Sequence, residues 1–401
     1  MVTTEFISLI HTATVIQRWN DHIRPTAGFT EIDKQAHKTF YAYALARCHE
    51  DSGNTVNYNK LIEGLIFEFL HRVITTDIKP PVYHKLMNQM GDGINKWVLS
   101  QLKEEVSSIK GYFYEKMEKY FFDDDYSAEE KKIIKFAHYL ATKWEFDVIY
   151  PMNKTMYNIE KTKTEVNDSL LTCEWFDGKL KFYQNPRISD FLNLIGQLRF
   201  QQRWTATARM PETSVMGHML VVAILSYVFS LELDACPKRC ENAFFGGLFH
   251  DLPEVLTRDI ISPVKRGVSG LDEIIKDIED SQMRDIIYPL IPNHWHKELE
   301  YYTNDEFSSR ITENGEVKNV SSEEISKSYN MNKFNPIDGR LIRICDHLSA
   351  FLEAYLSITN GVEAQPLKNA IFTLHDMYKD AKIAHIDFGN YFAEFKKILG
   401  F

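Results

Sequence analysis

Residues 242–251 read NAFFGGLFHD, an apolar, helix-like run that ends on His250 and Asp251. A buried imidazole or carboxylate is costly unless it is paired, hydrogen-bonded or bound to a metal. Two further runs repeat the pattern. His218 opens GHMLVVAILSYVFSLEL (217–233), and Asp346 interrupts RLIRICDHLSAFLEAYL (340–356). Each run reads as a separate helix, and each helix can aim one polar residue at a common centre. Adjacent His and Asp can both ligate where a helix ends, and Pro253 supports an end there. Two His and two Asp form a mixed nitrogen and oxygen ligand set. Such a set suits one divalent cation with open coordination positions, with Co, Mn, Mg, Ni, Fe and Zn not distinguished.

A cation held by His218, His250, Asp251 and Asp346 would lower the pKa of a bound water and neutralise charge on phosphoryl oxygens. Glu254 follows His250 by four residues and is the candidate general acid/base. It reads equally as an acidic residue in a helix's first turn. Arg203 offers a fixed fork of donors for a phosphate. Trp204 packs against a base, closes the pocket, or simply fills core. No glycine-rich phosphate loop and no G-x-S-x-G elbow occurs, so P-loop and serine-hydrolase chemistry have no support.

The order H…HD…D, with RWTATARMPETSVMGH (203–218) ahead and HDLPEVLTRDIISPVK (250–265) behind, resembles the HD-domain superfamily of metal-dependent phosphohydrolases. Within it, the stretches are most similar to the bacterial HD-domain 5′-deoxynucleotidases. The resemblance covers roughly residues 190 to 400. It implies hydrolysis of a deoxynucleoside 5′-monophosphate to nucleoside and phosphate, and strengthens the catalytic reading of Glu254. It also brings in Asp259, as a partner for the sugar 3′-hydroxyl or a water, and Lys265, as a second phosphate contact. Their plainer readings are a turn residue and a solvated charge. Two alternatives stay open: a dNTP triphosphohydrolase or other nucleotide phosphohydrolase, and a non-catalytic nucleotide sensor or scaffold.

At 401 residues, two domains are the natural expectation. The net charge of −10 disfavours stable nucleic-acid binding. The five cysteines (Cys48, Cys173, Cys236, Cys240, Cys345) are odd in number and scattered, which points to reduced thiols and a cytoplasmic setting. No secretory signal is visible, and the apolar run 219–231 is too short to span a bilayer. The expected partner is a small nucleotide; a homodimer is compatible with the sequence.

The chain also matches itself. Arg18-Trp19 fall on Arg203-Trp204, His37 on His218, His71 on His250 and, after a gap, Asp77 on Asp259. The block IIKFAHYLATKWE matches LIRICDHLSAFLE and is taken to put Ala137 on Asp346. Arg72 then replaces the metal-binding Asp251, and nothing replaces Glu254, so the first copy reads as degenerate. The expected architecture is all-α: a degenerate HD-like bundle over 1–165, a linker over 166–189 and a catalytic HD domain over 190–401. An insertion around 297–338 reads as a flap. Small β-hairpins are expected at Asp177-Gly178 and Asn314-Gly315. His294 and His296 read as surface residues, and His347 as a neighbour of the ligands.

Overall fold

The computed structural model describes residues 1–19, 28–76, 78–258 and 270–400. The fold is all-α. Strand among the described residues is confined to two short hairpins, Arg310–Glu313 with Glu316–Asn319 and Lys382–Ile383 with Ile386–Asp387. The chain forms two compact units. One comprises Thr12–Ser107 and Tyr112–Phe200; the other comprises Met1–His11, Ser108–Gly111 and Gln201–Phe401.

In the 12–200 unit, Glu31–Glu50 is the central helix. Thr30 starts it, its hydroxyl accepting from the Asp33 N–H, and nearly every residue along it is buried. It packs on Ala128–Ile149 and on Asp177–Gln184. The latter helix corrects the first hairpin expectation. Asp177-Gly178 opens a helix, not a turn between strands. Burial there falls on Phe176, Lys179 and Phe182, a helical spacing, while Leu180 and Tyr183 face solvent. Gly178 sits so close to the Glu31–Glu50 helix that a Cβ would lie 2.8 Å from the Leu45 carbonyl oxygen. The 166–189 segment is therefore packed structure belonging to this unit.

In the other unit, Val215–Glu232 is the core helix. It is long and apolar enough to cross a membrane, but it is almost wholly buried among its neighbours. Ser214 caps it, accepting from the Gly217 N–H at 2.8 Å. Pro237–Phe249 packs against it through the Gly246-Gly247 pair. A Cβ on Gly247 would lie 2.9 Å from Ala223 Cα, and one on Gly246 would lie 2.6 Å from Ile342 Cδ1. The two glycines thus let this helix approach both Val215–Glu232 and Gly339–Thr359. Those are the three helices that carry His218, His250-Asp251 and Asp346.

The 297–338 insertion is tied down at its end. Asp338 is fully buried, caps the Gly339–Thr359 helix through the Leu341 N–H, and accepts from Arg239, Ser309 and Ser322. Its hairpin turns at Asn314-Gly315, both with positive φ, as that dipeptide expects. The helix Thr4–His11 also belongs to this unit, with Phe6, Ile7 and Ile10 fully buried.

Candidate metal centre and its surroundings

Gly339–Thr359 presents Asp346 to His218, the fourth residue after the Ser214 cap. Pro237–Phe249 delivers His250 at its C-terminal end, and Asp251 follows in the turn. Asp346 Oδ1 stands 3.0 Å from His218 Nε2 and 4.0 Å from His250 Nε2. Asp251 Oδ2 stands 3.2 Å from His250 Nε2 and 3.9 Å from His218 Nε2. Donors held roughly 2.1 Å from one octahedral cation lie about 3.0 Å apart when adjacent and about 4.2 Å when opposite. The four His–Asp distances fall in that range, and the ligand atoms of His218, His250 and Asp346 all lie within 4.8 Å of one another.

A further observation fits a cation. His250 Nε2 is buried and has no well-aligned hydrogen-bond partner among the described residues, although its Nδ1 is fixed 2.8 Å from the Gly247 carbonyl oxygen. With Nδ1 turned to that carbonyl, Nε2 faces the Asp251 and Asp346 carboxylates, an arrangement that a metal between them would satisfy. His218 is oriented the same way, with Nδ1 3.0 Å from Ser349 Oγ. Both imidazoles are sealed from solvent, while the Asp251 and Asp346 side chains keep 18% and 15% of their surface, so the centre is approachable from the carboxylate side. Burial opposes charge on His250, but Asp251 beside it prevails and raises the imidazole to about 9. Burial would raise the half-buried Asp346 carboxyl, but the His218 contact holds it well below the usual range.

Beneath this centre lies a carboxylate that the sequence reading did not single out. Glu353 is buried and receives Arg203 Nε at 3.2 Å, Trp204 Nε1 at 2.8 Å and Thr213 Oγ1 at 2.9 Å. Burial alone would raise its pKa, but Arg203 and Arg209 hold it well below the carboxylate norm. Arg203 is thereby pinned between Glu353 and the centre, its Nη1 3.7 Å from Asp251 Oδ2. The indole of Trp204 is held by the same carboxylate. A signal for Glu353 existed: it follows Asp346 by seven residues, two helical turns on one face. Glu306 and Phe307, from the insertion, were also missed. Phe307 lies with its ring 6.2 Å from that of His250, and burial raises the Glu306 carboxyl.

Glu254 opens a four-residue helix directly after the Asp251 turn. Asp259, Lys265 and Asp77 lie outside the described residues. His294 and His296 sit on a helical turn, where His296 Nε2 is 2.9 Å from the Tyr288 carbonyl oxygen. His347 contacts the Tyr378 hydroxyl at 2.6 Å, and its other nitrogen is 3.9 Å from Asp346.

The 12–200 unit contains the same frame. Arg18 and Trp19 both donate to buried Glu145, the indole at 2.8 Å, as Arg203 and Trp204 do to Glu353. An isolated bridge joins Gln17 to Thr30, and another joins Gln202 to Ser214. These fixed points correct the register of the self-match. The fourth residue after the helix cap is Lys34, not His37; counted along the matched blocks, Asp346 falls opposite His138, not Ala137. Lys34 Nζ indeed lies 2.5 Å from His138 Nδ1. His37 is a core histidine, bound 3.0 Å from the Leu192 carbonyl oxygen, and Ala137 is core packing. His71 is held by Asn95.

Comparison with known proteins gives a family match to the HD domain over residues 195–375. Three curated relatives are 5′-deoxynucleotidases. Those of Klebsiella pneumoniae (strain 342) and Citrobacter koseri are each 28% identical over 134 residues. The 5′-deoxynucleotidase YfbR of Escherichia coli (strain K12 / DH10B) is 27% identical over the same length. Each alignment covers 28% of this chain and 63% of the relative, so the chain spans under two thirds of the relatives' length. No solved structure matches. Residues 195–375 thus match the HD-domain family model, and part of the chain is similar to the 5′-deoxynucleotidases.

Proposed function

We propose that the 201–401 region is a metal-dependent phosphohydrolase that cleaves deoxynucleoside 5′-monophosphates to nucleoside and phosphate. The observation that carries this reading is the convergence of His218, His250 and Asp346, whose ligand atoms lie within 4.8 Å of one another, with Asp251 3.2 Å from the His250 imidazole. When bound, a divalent cation there supplies an acidified water and polarises a phosphoryl oxygen. Arg203, fixed by Glu353 beside Asp251, binds the substrate phosphate. Glu254 holds the proton: it orients the attacking water or protonates the leaving 5′-oxygen. Ser349 and the Gly247 carbonyl keep the two imidazoles turned with Nε2 inward. The deoxynucleotide preference rests on the names of the relatives. The repeated Arg-Trp-Glu frame supports reading the two units as copies of one ancestor.

The test is phosphate release from mono-, di- and triphosphates of each nucleoside, with the metal-stripped protein reloaded by single divalent ions. Release from monophosphates only, with 2′-deoxy substrates preferred, is expected. Glu254→Ala should keep its metal and lose activity by roughly 10²-fold or more. Pyrophosphate or triphosphate release instead would favour a triphosphohydrolase. No release with a metal bound would favour a sensor.

A further inference from the structure

The position that Asp346 and His218 take in one unit is taken in the other by His138 and Lys34, and this exchange replaces a carboxylate–imidazole pair with two basic side chains. Lys34 is fully buried, and its ammonium's hydrogen-bond neighbour among the described residues is the His138 imidazole, 2.5 Å away at Nδ1. Arg18 and Lys38 stand near it and Arg72 near His138, while Arg199 joins the cluster through Glu145. Arg18 is shared between Glu145 and Glu31. Arg72 lies 3.5 Å from Glu31 and over the Tyr83 ring. Lys38 pairs with Glu68 and Arg199 with Glu145. Among the described residues, five basic side chains thus share three carboxylates, and Lys34 has none of the three within ion-pair distance. A buried lysine without an ion-pair partner among the described residues is expensive, and an apolar residue would pack there at less cost. The cluster is also reachable. Lys34 is sealed, but the Arg18 and Arg72 side chains keep 10% and 14% of their surface, and His138 is only half-buried.

We propose that this cluster is a second, metal-independent binding site for a phosphomonoester dianion, which it holds without hydrolysing. Arg18 occupies the place that Arg203 has in the other frame, and Arg72 and Lys34 provide the charge a metal would otherwise bring. Among the described residues no carboxylate–imidazole ligand set is present there to activate water, so the bound ester stays intact. The choice of a phosphomonoester rests on the reading of Arg203 above; the excess of positive charge does not. Burial first, and then the Arg18 charge, depresses the ionisation of Lys34, and a bound dianion would restore it.

The test is calorimetric titration of full-length, metal-stripped protein with dAMP, using deoxyadenosine as the uncharged control. An Arg203→Ala background silences the first site. One equivalent of dAMP should still bind, and deoxyadenosine should not. Lys34→Met and Arg72→Ala should each weaken this binding by roughly tenfold or more. In the otherwise wild-type, metal-loaded chain, both should leave phosphate release intact. Arg72 lies at the rim, so it decides the matter if Lys34→Met fails to fold. Absence of binding in the Arg203→Ala protein, or equal affinity after Arg72→Ala and a folded Lys34→Met, overturns the proposal. If instead Arg203→Ala leaves two equivalents bound, the reading of Arg203 fails, and the loss of one equivalent on Arg72→Ala still reports the second site.

Discussion

Glu353→Gln should be among the most destabilising single changes in the 201–401 region, although it removes no atom from the proposed metal ligands. The side chain is buried and takes three hydrogen bonds, from Arg203, Trp204 and Thr213. It also compensates Arg209, 4.0 Å away. The amide keeps the shape but drops the charge, and it turns a donor toward donors. Breaking a buried ion pair from one side costs about 3–5 kcal/mol, because the partner stays buried and uncompensated. For a unit of this size each kcal/mol moves the melting point by about 2–4 °C, so a fall of roughly 6–20 °C is expected. Glu145→Gln in the other unit should behave alike, since Arg18 and Arg199 depend on it in the same way. Glu323→Gln, an exposed partner of Arg340, is the control and should shift stability by under about 0.5 kcal/mol. Urea denaturation of the metal-stripped proteins gives the free energies. A loss below about 1 kcal/mol for Glu353→Gln would mean that the guanidiniums are satisfied by water, and the argument for a rigid Arg203 would fall.

The remaining expectations concern metal, architecture and pH. Elemental analysis should find about one divalent ion per chain, and Asp346→Ala should bring it near zero; two equivalents would show that the Lys34–His138 cluster binds metal after all. Deleting residues 1–11 should destabilise the C-terminal unit by several kcal/mol, since burial of Phe6, Ile7 and Ile10 contributes about 1.5–3 kcal/mol each. An unchanged melting point would remove that helix from the unit. Acid should unfold the 12–200 unit early. Burial lowers His71 to about 4 and His37 to about 3, so both stay neutral in the folded chain, while the unfolded chain takes up protons below about 6.5. Stability is thus full above pH 6.5 and lost as pH falls toward 4, by on the order of 3 kcal/mol per histidine. His71→Gln should flatten that slope in metal-stripped protein; an identical slope would assign the acid sensitivity to other groups.

The ligand set was legible because each polar residue interrupts an otherwise apolar run, a pattern with few physical excuses. The turn at Asn314-Gly315 was legible because its two positive-φ positions need those residues. Asp177-Gly178 carries the same local signal and forms a helix, since Phe176 and Phe182 gain more by packing on one face than a two-strand hairpin could offer. The register of the internal repeat was misread for a related reason. Histidine was matched to histidine, so His37 was set against His218. What fixes the phase of a helix, however, is where it starts, and Thr30 and Ser214 start these two. Counting from the caps brings a lysine to the place of a ligand, and counting along the matched blocks from Glu145 and Glu353 brings His138 to the place of Asp346. The 12–200 unit therefore keeps the buried Arg-Trp-Glu frame and sets Lys34 and His138 where the other unit has His218 and Asp346, the exchange on which the proposed anion site rests.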